Sequence, residues 1–188
     1  MSKKIAIFAS GSGSNAENII NYFANNEAFS FPLIVSNKAN AYVHERASNL
    51  GVPSVTFDKQ SFEQGDAIID VLHKYDIDAI VLAGFLLKIS PAIVAAFPQK
   101  IVNIHPALLP KHGGKGMYGD NVHKAVVANA DTETGITIHY VNENYDEGAI
   151  VFQAKCEVTP TDTYETVAAK VHELEYKHFP EQIEKIFG

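Results

Sequence analysis

Asn103 and His105 stand two residues apart in "IVNIHPALLPKHGG", Ile101 to Gly114, a short apolar run that stiffens at Pro106 and Pro110. In a strand over Lys100 to Ile104, side chains alternate across the sheet, so the two polar groups face the same side at its carboxyl end. An amide that donates hydrogen bonds beside an imidazole that can carry a proton is a pair able to do chemistry. Taken singly, each also has a plain structural use, the histidine as a hydrogen-bonded core residue and the asparagine as a turn cap. Pro106 and Pro110 restrict φ and withhold N–H donors, which fixes the strand exit and leaves room for a cis bond before Pro110.

A second stretch, "SGSGSNA", follows the first apolar run and opens the first helical segment. Gly11, Gly13 and Ala16 satisfy the G-x-G-x-x-G/A pattern in its proper strand-to-helix context. Glycines admit an anion close to the backbone, and the N–H groups of a helix N-terminus bind phosphate, with Ser14 or Asn15 expected as cap. A side chain at Gly13 is expected to take the place of that anion. A dinucleotide site also needs an acidic residue about 20 positions on, whereas the second strand ends in "VSNKAN" without a carboxylate. Lys38 could meet a 2′-phosphate, which keeps an NADP oxidoreductase as the alternative; a single phosphomonoester needs fewer assumptions.

The elements that must hold these residues are legible in the periodicity. Short β-branched runs at Ile5 to Ala9, Leu33 to Ser36, Ser54 to Phe57, Ala79 to Leu82 and Ile101 to Ile104 alternate with helix-period segments such as Ala16, Ile19, Ile20, Phe23 and Ile68, Val71, Leu72, Tyr75. That is the βαβ rhythm of a mostly parallel, Rossmann-like α/β sheet with helices on both faces. Ile136 to Val141 and Ile150 to Val158 then read as consecutive strands, an antiparallel hairpin, before a long helix from Tyr164. Both candidate sites fall at the carboxyl rim of this sheet, where open α/β sheets bind ligands.

With 188 residues, 46% hydrophobic and 20% charged, the chain suits one domain over 1–188. A net charge of −7 gives no broad footprint for nucleic acid. Cys156 is the only cysteine, so no internal disulfide can form. The apolar run after Lys3 and Lys4 is too short for a signal-peptide core, and Ala79 to Leu87 is about half a bilayer span, so a cytoplasmic protein without membrane contact is expected. His172 and His178, about 600° apart around a helix, face different sides and form no zinc pair; both read as ordinary, and no metal is expected.

Asp146 lies in "GITIHYVNENYDEGAIV", Gly135 to Val151, where by itself it is a turn former. In combination, "NIHPALLP", "GITIHYV", "YDEG" and "IVFQAK" resemble the formyltransferases that use 10-formyltetrahydrofolate, and the "GSGSN" loop narrows the resemblance to those that formylate glycinamide ribonucleotide in purine synthesis. The resemblance implies a catalytic trio of Asn103, His105 and Asp146. It implies that Gly11, Ser12, Gly13, Ser14 and Asn15 hold the ribonucleotide phosphate and that Glu175 contacts the ribonucleotide. Leu87, Ile89, Val141, Asn144 and Tyr145 would line the folate pocket, His139 would support the trio, and His123 lies in a segment that is mobile in the family. Phe62 aligns where relatives often carry a phosphate-contacting arginine, and "HGGKGMYGDNVH" is longer than in some relatives.

The implied mechanism has Asn103 and protonated His105 donate to a tetrahedral oxyanion while Asp146 orients the imidazole and relays the proton. The nearby carboxylate is expected to raise the His105 pKa. Other members of the family are set apart by added parts: a methionyl-tRNA formyltransferase is expected to carry a basic C-terminal domain beyond Gly188, and a formyltetrahydrofolate hydrolase a regulatory domain before the first strand.

Overall fold

The computed structural model describes residues 2–188. Seven strands form one sheet in the order β3-β2-β1-β4-β5-β6-β7. Five are parallel: β1 (Lys3–Phe8), β2 (Phe29–Ser36), β3 (Ser54–Thr56), β4 (Ala79–Leu82) and β5 (Ile101–His105). The last two, β6 (Glu133–Tyr140) and β7 (Ile150–Glu157), are each antiparallel to the strand before them.

Strand periodicity divides the apolar residues between two cores. Ile5 and Ile7 of β1 pack on one face and Ala6 and Phe8 on the other, all fully buried. Against the first face lie α1 (Ser14–Tyr22), α2 (Val43–Asn49), α6 (Asp120–Ala128) and α7 (Tyr164–Phe187). The second face is covered by α3 (Lys59–Gln64), α4 (Asp66–Lys74) and α5 (Pro91–Ala96). Helix α7 starts at a capping box of Thr163 and Thr166 and buries Val167, Val171, Glu175, Phe179 and Ile183, a stripe at a spacing of four. One polar residue in that stripe, Glu175, therefore sits on the face that meets the sheet.

Most strand boundaries lie a few residues from the sequence expectation, β6 for example starting at Glu133 and not Ile136, and two of the differences have a clear physical reason. Strand β2 starts at Phe29, before Leu33, because it carries a bulge: Lys4 pairs with Ser30 but Ala6 with Leu33, and the extra residue accommodates Pro32 without a ladder donor. Strand β5 is shifted one residue, so His105 belongs to it and is fixed by pairing with Thr137 of β6. Helices α3 and α5, six residues each, are too short to show a period; Asp58 caps one and Ser90 with Pro91 the other. Among the described residues, no helix is long and apolar enough to cross a membrane.

Candidate active site

A cavity of about 800 Å³ opens along the carboxyl ends of β1, β4 and β5. The glycine loop lies at one end, Asn103, His105 and Asp146 line its wall, and the segments around Leu87 and Val141 border it as well. All the residues to which the family resemblance gives a catalytic or ligand-binding role line this one cavity: Gly11 to Asn15, Leu87, Ile89, Asn103, His105, Val141, Asn144, Tyr145, Asp146 and Glu175. Strand order explains the gathering, since β1 and β5 flank β4, and the β6–β7 connection brings Asp146 back over β5.

At the glycine end, Gly13 has φ 73° and serves as N-cap of α1, with no side chain capping the helix. The expected Ser14 or Asn15 cap does not form. Asn15 instead donates from Nδ2 to Glu175 Oε2 at 2.9 Å, so its amide ties α1 to α7. An uncapped first turn leaves its N–H groups and the positive end of the helix dipole for a ligand. Arg46 braces the loop from behind, donating from Nε to the Ser12 carbonyl at 2.8 Å and pairing with Glu17. A Cβ at Gly13 would meet Val43 at 2.4 Å, so a side chain there would strike α2 and not the anion's place as expected. At Gly11, by contrast, a Cβ would meet nothing within 4 Å. Phe62, 1% exposed, packs its ring among Phe8, Phe57 and Phe85 and brings nothing to the cavity; Lys38 and Lys59 are cations that do line it.

At the strand end, hydrogen bonds fix the protonation pattern of both histidines. His105 Nε2 is 2.7 Å from the His112 carbonyl, which can only accept, so Nε2 carries a proton in either charge state. The nitrogen that gains or loses a proton is therefore Nδ1, which faces Asp146 Oδ2 at 3.6 Å. His139 Nδ1 likewise donates to the Tyr140 carbonyl at 2.9 Å, leaving Nε2 to accept from Asn103 Nδ2 at 3.1 Å. One amide proton of Asn103 is thus spent on orientation, which leaves the other uncommitted. Asp146, with φ 53°, accepts from the Gly114 N–H at 3.0 Å and lies 3.6 Å from His139 Nε2. The Leu109–Pro110 bond is cis.

Burial overturns one expectation here. His105 is only 3% exposed, and loss of water holds its pKa below the usual value although the Asp146 charge and the His112 carbonyl pull it upward. The imidazole is therefore biased towards the neutral form, and the expected raised pKa is reversed. Burial works to raise the Asp146 pKa too, but the adjacent His139 ring, the His105 charge and the Gly114 N–H hold it below the ordinary carboxylate value. Burial raises that of Glu175.

Two cavity residues are given no role at the site by the sequence. His172, read as ordinary, lines the cavity; it lies three residues before Glu175, and that i,i+3 spacing was the available signal. His123 of α6 is buried with Nδ1 unpartnered, and burial drops its pKa to about 4. His178 packs on Phe152 away from the cavity, so the two α7 histidines do face different ways. Finally, the role of the 110–114 loop rests on main-chain atoms, which residue types do not advertise.

The carboxyl rim of the sheet thus joins an uncapped glycine turn to an Asn-His-Asp cluster. Residues 3–183 match the Formyl transferase family profile, and the chain belongs to that family. It is 39% identical over 183 residues to the phosphoribosylglycinamide formyltransferase of Haemophilus influenzae, covering 95% of this chain and 84% of that protein. It is 42% identical to the chloroplastic phosphoribosylglycinamide formyltransferase of Arabidopsis thaliana over 96% of this chain, but spans 64% of that protein's length. The crystal structure of glycinamide ribonucleotide transformylase 1 from Geobacillus kaustophilus superposes with a TM-score of 0.91 at 31% identity, covering 100% of both chains.

Proposed function

We propose that this chain, acting as a single catalytic domain, transfers the formyl group of 10-formyltetrahydrofolate to the amine of glycinamide ribonucleotide. The observation that carries the proposal is one continuous cavity with an uncapped helix N-terminus at one end and Asn103, His105 and Asp146 converging on its wall. The phosphate sits at the first turn of α1, aided by Lys38 and Lys59, and the pterin lies among Leu87, Ile89, Val141, Asn144 and Tyr145. Glu175, held by Asn15, meets the ribonucleotide between phosphate and amine.

In the reaction the amine nitrogen attacks the formyl carbon, a C–N bond forms, and the carbonyl π pair moves to oxygen. The free N–H of Asn103 donates to that oxyanion. His105 donates from Nδ1 once it is protonated, which its burial opposes in the free protein and a negative oxygen nearby favours. Asp146 takes the proton from the attacking nitrogen, directly or through water, and passes it to N10 as the carbon–N10 bond breaks and the carbonyl reforms. No covalent enzyme intermediate is required, and Cys156, on β7, is absent from the cavity lining.

The test is an assay of purified protein with 10-formyltetrahydrofolate, with and without glycinamide ribonucleotide. Tetrahydrofolate release that depends on the ribonucleotide is expected. Release at the same rate without it would make the protein a hydrolase and overturn the proposal.

A further inference from the structure

His112 touches the reacting cluster with its backbone alone. Its carbonyl accepts from His105 Nε2 at 2.7 Å, while its side chain turns away into a second cavity of about 140 Å³, behind the first, which Asp131 also lines. There Nε2 lies 2.6 Å from Asp131 Oδ2, with the imidazole 9% and the carboxylate 14% exposed. Lys111 Nζ approaches the other carboxylate oxygen at 3.6 Å. His112 also has φ 54°, a left-handed conformation in which a non-glycine residue is strained. Something must hold that conformation, and the shortest contact the residue makes is with Asp131.

We propose that Asp131 and His112 form a positioning clamp for the formyl-transfer reaction: the pair fixes the left-handed turn at His112 so that its carbonyl pins His105 in the Nε2–H tautomer. This rests on the function proposed above. The carboxylate stands on the short segment between α6 and β6, and its own N–H bonds the Val126 carbonyl at 3.2 Å, so it is anchored on the scaffold and not on the loop. Two residues further along the same loop, the Gly114 N–H donates to Asp146 Oδ2. One clamp outside the cavity thus sets the loop that holds both His105 and Asp146. With Nε2 pinned, Nδ1 is the nitrogen left to exchange a proton on the Asp146 side. If the carbonyl swings away, the ring is free to turn and to place its proton on either nitrogen, so Nδ1 is no longer held as the nitrogen that takes up and gives back a proton beside Asp146. Asp131 and His112 are positioning residues, since neither side chain lines the substrate cavity.

Asp131→Asn keeps the shape and removes the charge, and Asp131→Glu restores it. In the free enzyme, ¹⁵N NMR of the His105 ring should show the Nε2–H tautomer in the wild type and a mixture in Asp131→Asn. In formyl transfer, kcat of Asp131→Asn should fall roughly tenfold, as expected for small misplacement of a catalytic group, with both KM values held within about twofold. Asp131→Glu should recover most of both signals. His112→Asn, which tolerates left-handed backbone but loses the ring, should behave as Asp131→Asn does. An unchanged His105 tautomer and kcat in folded Asp131→Asn would overturn the clamp, as would an Asp131→Glu variant as impaired as Asp131→Asn. A wild type that transfers no formyl group would sink the functional reading alone, because the tautomer measurement needs no substrate.

Discussion

The two ends of the cavity are built in opposite ways. The glycine end is local: Gly11, Gly13 and the first turn of α1 are adjacent in sequence, and what they offer the cavity is main-chain groups that any folded strand-turn-helix would present. The proposed catalytic end is assembled from separate stretches: Asn103 and His105 on β5 with the 110–114 loop that follows it, and His139 with Asp146 around the β6–β7 connection. A local site tolerates changes to its surroundings and fails when its own backbone is blocked. An assembled site fails when any one stretch loses its partner, and its side chains act as a unit.

The largest effect is therefore expected at the catalytic end. Asp146→Asn keeps the loop filled but removes the charge facing both histidines, and should cost roughly 10²- to 10⁴-fold in kcat, the range for general acid–base groups. It should also lower the His105 pKa further, as seen by NMR, since the Asp146 charge is what opposes burial there. Loss of substrate affinity with kcat intact would place Asp146 in binding instead. Asn103→Ala should lower kcat roughly 10²- to 10³-fold, the cost of one oxyanion donor, with little change in affinity. A collapse in affinity with kcat preserved would remove the oxyanion assignment.

At the glycine end the effect should be smaller and confined to binding. Gly11 lines the cavity and a Cβ there meets nothing within 4 Å, so Gly11→Val should weaken ribonucleotide binding by roughly tenfold or more, about 1.4 kcal/mol, while folate binding survives. Gly13→Val is the wrong probe, because its side chain would collide with Val43 and report on folding. Equal loss of both ligands in Gly11→Val would show that the two ends are not separable.

How much of this was legible in the sequence follows the same division. The GSGSN turn, the alternation of strands and helices and the Asn103/His105 spacing are local patterns, and each stands where it was expected to within a few residues. Asp146 is 41 positions from His105, and nothing local distinguishes it from a turn residue; only the resemblance to a family brought it forward. The His105 pKa was misjudged for a related reason. The charge of a neighbour can be guessed from residue types, but the depth of burial that outweighs it depends on how β5, β6 and the 110–114 loop close around the ring. His112 was invisible as a participant because its contribution is a carbonyl.

A further effect is expected on stability in acid and not on activity. The pKa of His123 falls from about 6.5 unfolded to about 4 folded, so the unfolded chain binds more protons between those values and stability falls as pH drops through that window. The full cost below the folded value is on the order of 3 kcal/mol. His105 acts in the same direction. Denaturant unfolding at pH 7 and pH 4.5 should show this loss, and His123→Gln should reduce it. An identical loss in the variant would mean that His123 is hydrated and free to protonate in the folded state.

The central claim, that residues gathered from distant stretches act as one catalytic unit, is tested most directly by a double-mutant cycle on kcat. His105→Ala, Asp146→Asn and the double variant are compared under saturating substrates. The double variant should be little worse than the poorer single variant, because removing either residue already disables the shared step. If the two losses multiply instead, the residues contribute independently, and the cluster is not the unit that its geometry describes.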